Sequence, residues 1–177
     1  MRGLVLAKQG HGAEGIAQMR QGLAAMQTTG AGLNRAYFLA QLAEAYAQAG
    51  QSDTGLATVA EALELGDKSG EHWWEAELHR LQGVLLLVSQ GINDQAQPDS
   101  LRIAEAERCL QQALTIARQQ QARALELRAA ISLSRLWRHQ GRNAAARRLL
   151  VESYNWFTEG FDTADLQAAR GLLDTLT

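Results

Sequence analysis

At 177 residues with 46% hydrophobic side chains, the chain is long enough to bury one core or one array of stacked units. One proline against abundant Ala, Leu, Gln, Glu and Arg predicts an all-α chain, and no run alternates with the period of a strand. A net charge of −2 speaks against a globally basic nucleic-acid binder, and the lone Cys109 excludes a disulfide framework and predicts a reducing, cytoplasmic setting. Apolar runs reach only five residues (3–7 and 84–88), too short for a signal peptide or for the roughly 20 residues of a membrane span.

The predicted elements in chain order are a helix over 1–9 with a partner over 12–28, then 33–49 with 52–67, 71–90 with 102–119, and 122–140 with 143–157. A short amphipathic helix follows within 163–176, with Leu166, Ala169, Leu172 and Leu173 on one face. Asp53 and Ser100 are expected N-terminal caps. The strings AKQG, AQAG, VSQG and RHQG end at Gly10, Gly50, Gly91 and Gly141, spaced by 40, 41 and 50 residues. The longest interval holds INDQAQPDSL (92–101) with Pro98, and removing those ten residues restores a spacing of 40.

Registering on these glycines aligns further positions. Four residues before each stands a large side chain: Leu6, Tyr46, Leu87 and Trp137. Ala43 and Ser134 stand seven before, each preceded by a leucine, with Leu81 and Gly83 slipped from that frame. Small residues return after each glycine at Gly15, Gly55, Ala106 and Ala146, and again at Gly22, Ala62, Ala113 and Ser153. Large residues at helical spacing fill a core, whereas small ones let two helices approach closely.

This order resembles the tetratricopeptide repeat, with a period of about 40 where the usual repeat has about 34. It implies a right-handed α-solenoid of antiparallel helix pairs in one domain, 1–177, with repeats at 1–29, 32–68, 70–120 and 122–157 and a C-terminal capping helix. The strings GLNRAYFLAQLAEAYAQAG, GEHWWEAELHRLQGVLLL and YNWFTEGFDTADLQAARGLLDTL, with 104–141, are similar to the C-terminal repeat region of large bacterial signalling proteins. Those are predicted ATPases that often carry a class III adenylate/guanylate cyclase or a winged-helix DNA-binding domain. The chain holds no GxxxxGK[ST] phosphate loop, so the resemblance implies the tail of such a protein, with Met1 falling inside a first helix.

No catalytic set emerges from the residues, and no cofactor is expected. Gly10-His11-Gly12-Ala13-Glu14-Gly15 spells GxGxxG, but Gly10 and Gly15 hold the same repeat positions as Gly50 and Gly55, and a helix stands where a second strand should follow. His72, Glu75 and His79 share one helix face without the further ligands a zinc site needs. Cys109 reads as a small core residue, and Trp137 as core. Of Trp73 and Trp74, one is expected to bury and the other to face a groove.

The remaining candidate is the groove lined by the first helix of each unit. The resemblance transfers groove positions to Tyr37, Glu44 and Gln48 in the second unit, to Arg80, with Glu77 and Val84, in the third, and to Arg128, Arg135, Arg138 and His139 in the fourth. Residues 102–148 hold ten Arg against Glu105, Glu107 and Glu126, so Arg128, Arg135 and Arg138 form a candidate guanidinium ladder for a carboxylate-bearing peptide or anionic ligand. The competing reading pairs these arginines with Glu126, Glu152 or solvent. The expected function is therefore a non-enzymatic scaffold for a protein or peptide partner, or for upstream domains of its own system. A ligand-sensing array is the alternative, and an anionic or nucleic-acid backbone binder stands further behind. The expected uncapped N-terminal edge near Leu4 and Leu6 points to self-association or docking there.

Overall fold

The computed structural model describes residues 3, 6, 11–28, 34–88 and 100–176. Among them lie eight helices and no strand: α1 (Gly12–Thr28), α2 (Arg35–Gln48), α3 (Ser52–Ser69), α4 (Glu75–Val88), α5 (Ser100–Gln119), α6 (Arg123–His139), α7 (Asn143–Tyr154) and α8 (Ala164–Asp174). Gly3 and Leu6, within the helix expected over 1–9, are both helical. Gly10, Gly91 and most of the expected insertion fall outside the described residues. None of the described helices is long and apolar enough to cross a membrane.

The helices stop where backbone chemistry requires it. Gly50 and Gly141 take left-handed φ values of 70° and 75°. That geometry lets the Gln51 N–H reach the Tyr46 carbonyl and the Arg142 N–H reach the Trp137 carbonyl, at 2.9 and 2.8 Å. The His11 N–H donates to the Leu6 carbonyl in the same way. The large residues Leu6, Tyr46 and Trp137 are therefore the acceptors of the terminating bonds. At Trp137 the motif gains a side-chain partner, since Arg142 lies over the indole ring at 4.6 Å. A further stop of this kind has no glycine: Gln121 sits at φ 53°, and the Ala122 N–H donates to the Ala117 carbonyl.

Several boundaries differ from expectation. Asp53 is not a cap; Gln51 holds that place, and Asp53 lies in the first turn of α3, where its carboxylate complements the helix dipole. Ser100 is already helical. α4 starts at Glu75, because His72–Trp74 form a turn with Trp73 and Trp74 packed on Tyr37. α7 ends at Tyr154, and Trp156 leaves the helix, exposed beneath the Arg123 guanidinium.

Each helix packs on its chain neighbour, and α2 touches α4, α4 touches α6 and α6 touches α8. Among the described residues α3, α5 and α7 do not approach one another. The result is an inner row (α2, α4, α6, with α8 at its end) and an outer row (α3, α5, α7). Inner and outer helices cross at small residues. A Cβ on Gly83 would lie 2.7 Å from Leu110 Cγ and 2.9 Å from the Ala106 carbonyl oxygen. The Ser134 hydroxyl, fully buried, donates to the Ala146 carbonyl at 3.1 Å. A Cβ on Gly3 would meet the Gly15 carbonyl oxygen at 2.7 Å. Gly55 makes room for the next inner helix, receiving Leu85.

The apolar interior forms two main clusters that meet along α4: α1–α4 surround Leu39, Val59 and Leu81, whereas α5–α8 surround Leu110, Leu133 and Leu150. Leu166, Ala169 and Leu172 of α8 close the second cluster. Each buried leucine contributes roughly 1.5–3 kcal/mol. Cys109 is buried in α5, and burial raises its thiol pKa, the environment of a packing residue rather than a nucleophile. Trp137 is only half-buried, because its indole N–H donates to Glu107 at the protein edge.

Two substitutions of opposite sign test this geometry. Gln121→Gly is expected to stabilise by about 1 kcal/mol by relieving a left-handed L-residue. Gly83→Ala is expected to cost about 1–3 kcal/mol through overpacking against backbone. Urea unfolding followed by circular dichroism measures both.

Candidate binding face

Helical spacing places Tyr37, Gln41, Glu44 and Gln48 on one stripe of α2, Glu77, Arg80, Val84 and Val88 on one of α4, and Arg128, Ser132, Arg135 and His139 on one of α6. The inner row brings these stripes together. At their centre Glu77 is 1% exposed, and it accepts from Arg80 Nη2 and Nε at 2.7 and 2.9 Å and pairs with Arg128 Nη1 at 2.9 Å. Glu44 accepts from Arg128 Nη2 at 2.7 Å and from Arg80 Nη2 at 3.4 Å. Arg80 Nη1 donates to the Ser132 hydroxyl, which donates in turn to the Arg128 carbonyl. Asp165, at the start of α8, stands 3.9 Å from Arg128 Nε. Burial works against the charge of Arg80, but Glu77 and then Glu44 outweigh it and raise its pKa.

Four inner-row helices thus share one ionic cluster, and Arg80, Arg128 and Glu44 are occupied by one another. The arginine ladder is split: Arg128 belongs to the cluster, whereas Arg135 and Arg138 do not. Nor does Arg128 reach Glu126 or Glu152, which pair with Arg118; Arg123 also holds Glu126. Arg138 donates to the Thr175 hydroxyl at 2.9 Å. Arg135 has no hydrogen bond or ion pair among the described residues, and partial burial, then Arg80 and Arg138, lower its pKa. His139 is exposed beside it, and Gln48 is exposed at the end of α2.

The two ends of the face differ. At the N-terminal ends of the inner helices, Tyr37 stacks on Trp73 at 6.0 Å between ring centroids and meets Trp74 edge-on at 5.1 Å. Trp73 is 46% exposed and Trp74 is partly buried, a division set by the turn before α4 and not by adjacent positions on a helix. Tyr37, Glu44, Trp74, Arg128 and Asp165 line a cavity of about 330 Å3 there. At the C-terminal ends a cavity of about 660 Å3 is lined by Arg80, Val84, Leu87, Val88, Ile103, Ser132, Arg135, Leu136, His139 and Gln140. Leu87, Val88 and Ile103 are absent from the sequence-predicted site. Hydropathy marks them only as helix-facing residues, and Ile103 lies beyond the insertion that obscures the third frame.

His72, Glu75 and His79 do not converge as ligands. Glu75 lies 3.3 Å from His72 and 3.8 Å from His79, while His79 Nε2 turns to the Gln112 amide at 3.1 Å. Among the described residues no three His, Cys, Asp or Glu side chains group as a metal site. Compared with known proteins, the chain matches no family model and no curated protein.

Removing the charge of Glu77 leaves Glu44 as the main carboxylate for two guanidiniums, one of them buried, so Glu77→Gln is expected to cost about 3 kcal/mol in urea unfolding. His79 provides a pH test. Burial, against the opposing pull of Glu75, holds its pKa below the ordinary 6.5. Protonation then favours the unfolded chain, so its contribution is complete above pH 6.5 and is lost as the pH falls toward the folded pKa. His79→Gln is expected to flatten stability against pH in that window.

Proposed function

We propose that the chain is a non-catalytic interaction module, a right-handed α-solenoid of tetratricopeptide-like repeats whose inner face takes a protein or peptide partner. The carrying observation is the polarised inner face: a self-neutralised ionic centre, an aromatic group at one end and cationic side chains at the other. Exposed Trp, Tyr and Arg are the residue types that dominate binding energy at protein interfaces. Trp73 and Tyr37 present apolar area already ordered by stacking, and Arg135 and Arg138, beside the exposed His139, present positive charge with no carboxylate in contact among the described residues. A partner with an apolar anchor and an acidic segment complements both ends.

The repeat reading draws support from neighbour-on-neighbour packing and from the recurring small-residue crossings. The proposed setting follows the sequence resemblance: a cytoplasmic regulatory or scaffold segment of a bacterial signalling ATPase or cyclase system, with the N-terminal edge docking upstream repeats or a second copy. The nucleic-acid reading loses ground, because Arg108, Arg118, Arg123, Arg128 and Arg142 of the basic stretch are each paired with a carboxylate. Ligand sensing remains a second reading on one observation, the cavity beside Arg135.

The test uses the purified chain as bait, with the captured protein identified and then titrated as a pure component. Arg135→Glu with Arg138→Glu is expected to abolish binding, and Trp73→Ala to weaken it about tenfold or more. A captured partner indifferent to both changes would place the interface elsewhere.

A further inference from the structure

We infer that the open cavity between α4, α5 and α6 is a binding site for a small aliphatic monocarboxylate. This deepens the ligand-sensing reading and is independent of the protein-partner reading. The volume of about 660 Å3 lies in the range of about 300–1,000 Å3 typical of small-molecule pockets. Val84, Leu87 and Val88 of α4, Ile103 of α5 and Leu136 of α6 supply its apolar walls. Its polar side chains are Arg80, Ser132, Arg135, His139 and Gln140, and among the described residues no carboxylate lines it.

These polar groups are not equally available. Arg80 is tied to Glu77, Glu44 and Ser132, and the Ser132 hydroxyl is tied to the Arg128 carbonyl. Arg135 makes no such bond among the described residues, and partial burial, then the neighbouring positive charges of Arg80 and Arg138, disfavour its own charge. An anion placed there relieves that repulsion.

The chemistry of the anion follows from the wall. A planar guanidinium offers two parallel N–H groups, which a carboxylate accepts together. With Arg135 and the His139 imidazole as the uncommitted donors in a largely apolar cavity, a phosphate dianion would lack donors for its remaining oxygens. A bare carboxylate would leave the Val84, Leu87 and Ile103 surface wet, whereas an aliphatic body covers it. Each methylene buried adds about a fourfold gain in affinity. An alkylamine meets like charge, and an alkanol offers Arg135 no counter-ion.

Calorimetric titration of the full chain with octanoate, hexanoate, octanol, octylamine and inorganic phosphate tests the assignment, with the thermal midpoint as a second readout. Octanoate is expected to bind and to raise the midpoint, hexanoate to bind more weakly, and the other three to bind at least about tenfold more weakly than octanoate. Arg135→Gln should weaken octanoate about tenfold or more without changing weak octanol binding. Ile103→Glu, which puts a negative charge into the opposite wall from a half-buried position, should also weaken it. Arg147→Gln should bind as the parent does, because Arg147 is exposed on α7 and does not line the cavity. Unchanged circular dichroism confirms that each variant is folded. No octanoate binding, octanol or phosphate binding as tightly, or undiminished octanoate binding by folded Arg135→Gln would overturn the inference. Partner capture without octanoate binding would sink this inference alone, and octanoate binding without capture would sink the partner reading alone.

Discussion

The inner and outer helices of a unit come together where one of them carries a side chain too small to hold them apart. Gly83 rests on the Ala106 carbonyl and Leu110, Ser134 on Ala146, and Gly3 on Gly15. These contacts leave no space for an added methyl at Gly3 or Gly83, and well-packed interiors respond to such volume changes by shifting backbone. The row spacing depends on them, and so does everything built upon it. Were α4 displaced from α5, the stripe carrying Glu77 and Arg80 would leave the registry in which Glu44 and Arg128 reach it. The hydroxyl of Ser134 also shows why that position tolerates a polar atom, since its proton is delivered to a backbone carbonyl.

The ionic cluster is the second consequence of that spacing. Burying Glu77 and Arg80 carries a desolvation cost that their attraction alone need not recover. Several interactions share the work here: two bonds between Glu77 and Arg80, a second guanidinium from Arg128, and a hydroxyl on the remaining Arg80 nitrogen. The cluster orders the inner helices relative to one another. It also consumes the charges at the middle of the face, which leaves the aromatic and cationic ends chemically distinct.

Much of the helix order was legible in the sequence, because glycine terminators and helix-spaced large residues are local signals. Gly50 and Gly141 marked true stops, and α1 was delimited at 12–28. The break between 119 and 122 was expected, but Gln121 was not marked as its left-handed residue, because the turn has the same hydrogen bonds without the glycine that advertises them. The late start of α4 was hidden as well, since Trp73 and Trp74 are compatible with a helix until Tyr37 packs against them. The site was legible by face but not by role. Tyr37, Glu44, Arg80, Arg128, Arg135 and His139 do lie on the inner stripes, whereas the pairing of Glu44 with Arg128 depends on tertiary registry that no local pattern encodes. Glu77 looked like one groove residue among several and proved to be the hub.

Glu44 and Arg128 stand 84 residues apart in the chain, whereas helix-to-helix packing joins near neighbours. Closing so long a segment costs conformational entropy that adjacent helix pairs avoid, though the cost grows only logarithmically with length. Helix pairs such as α6 with α7 can therefore assemble early, and the cluster joins only after three inner helices are already in place. The ionic contact acts as a late check on registry: an array with one inner helix out of step can bury its leucines, yet it leaves Glu77 facing the wrong partner.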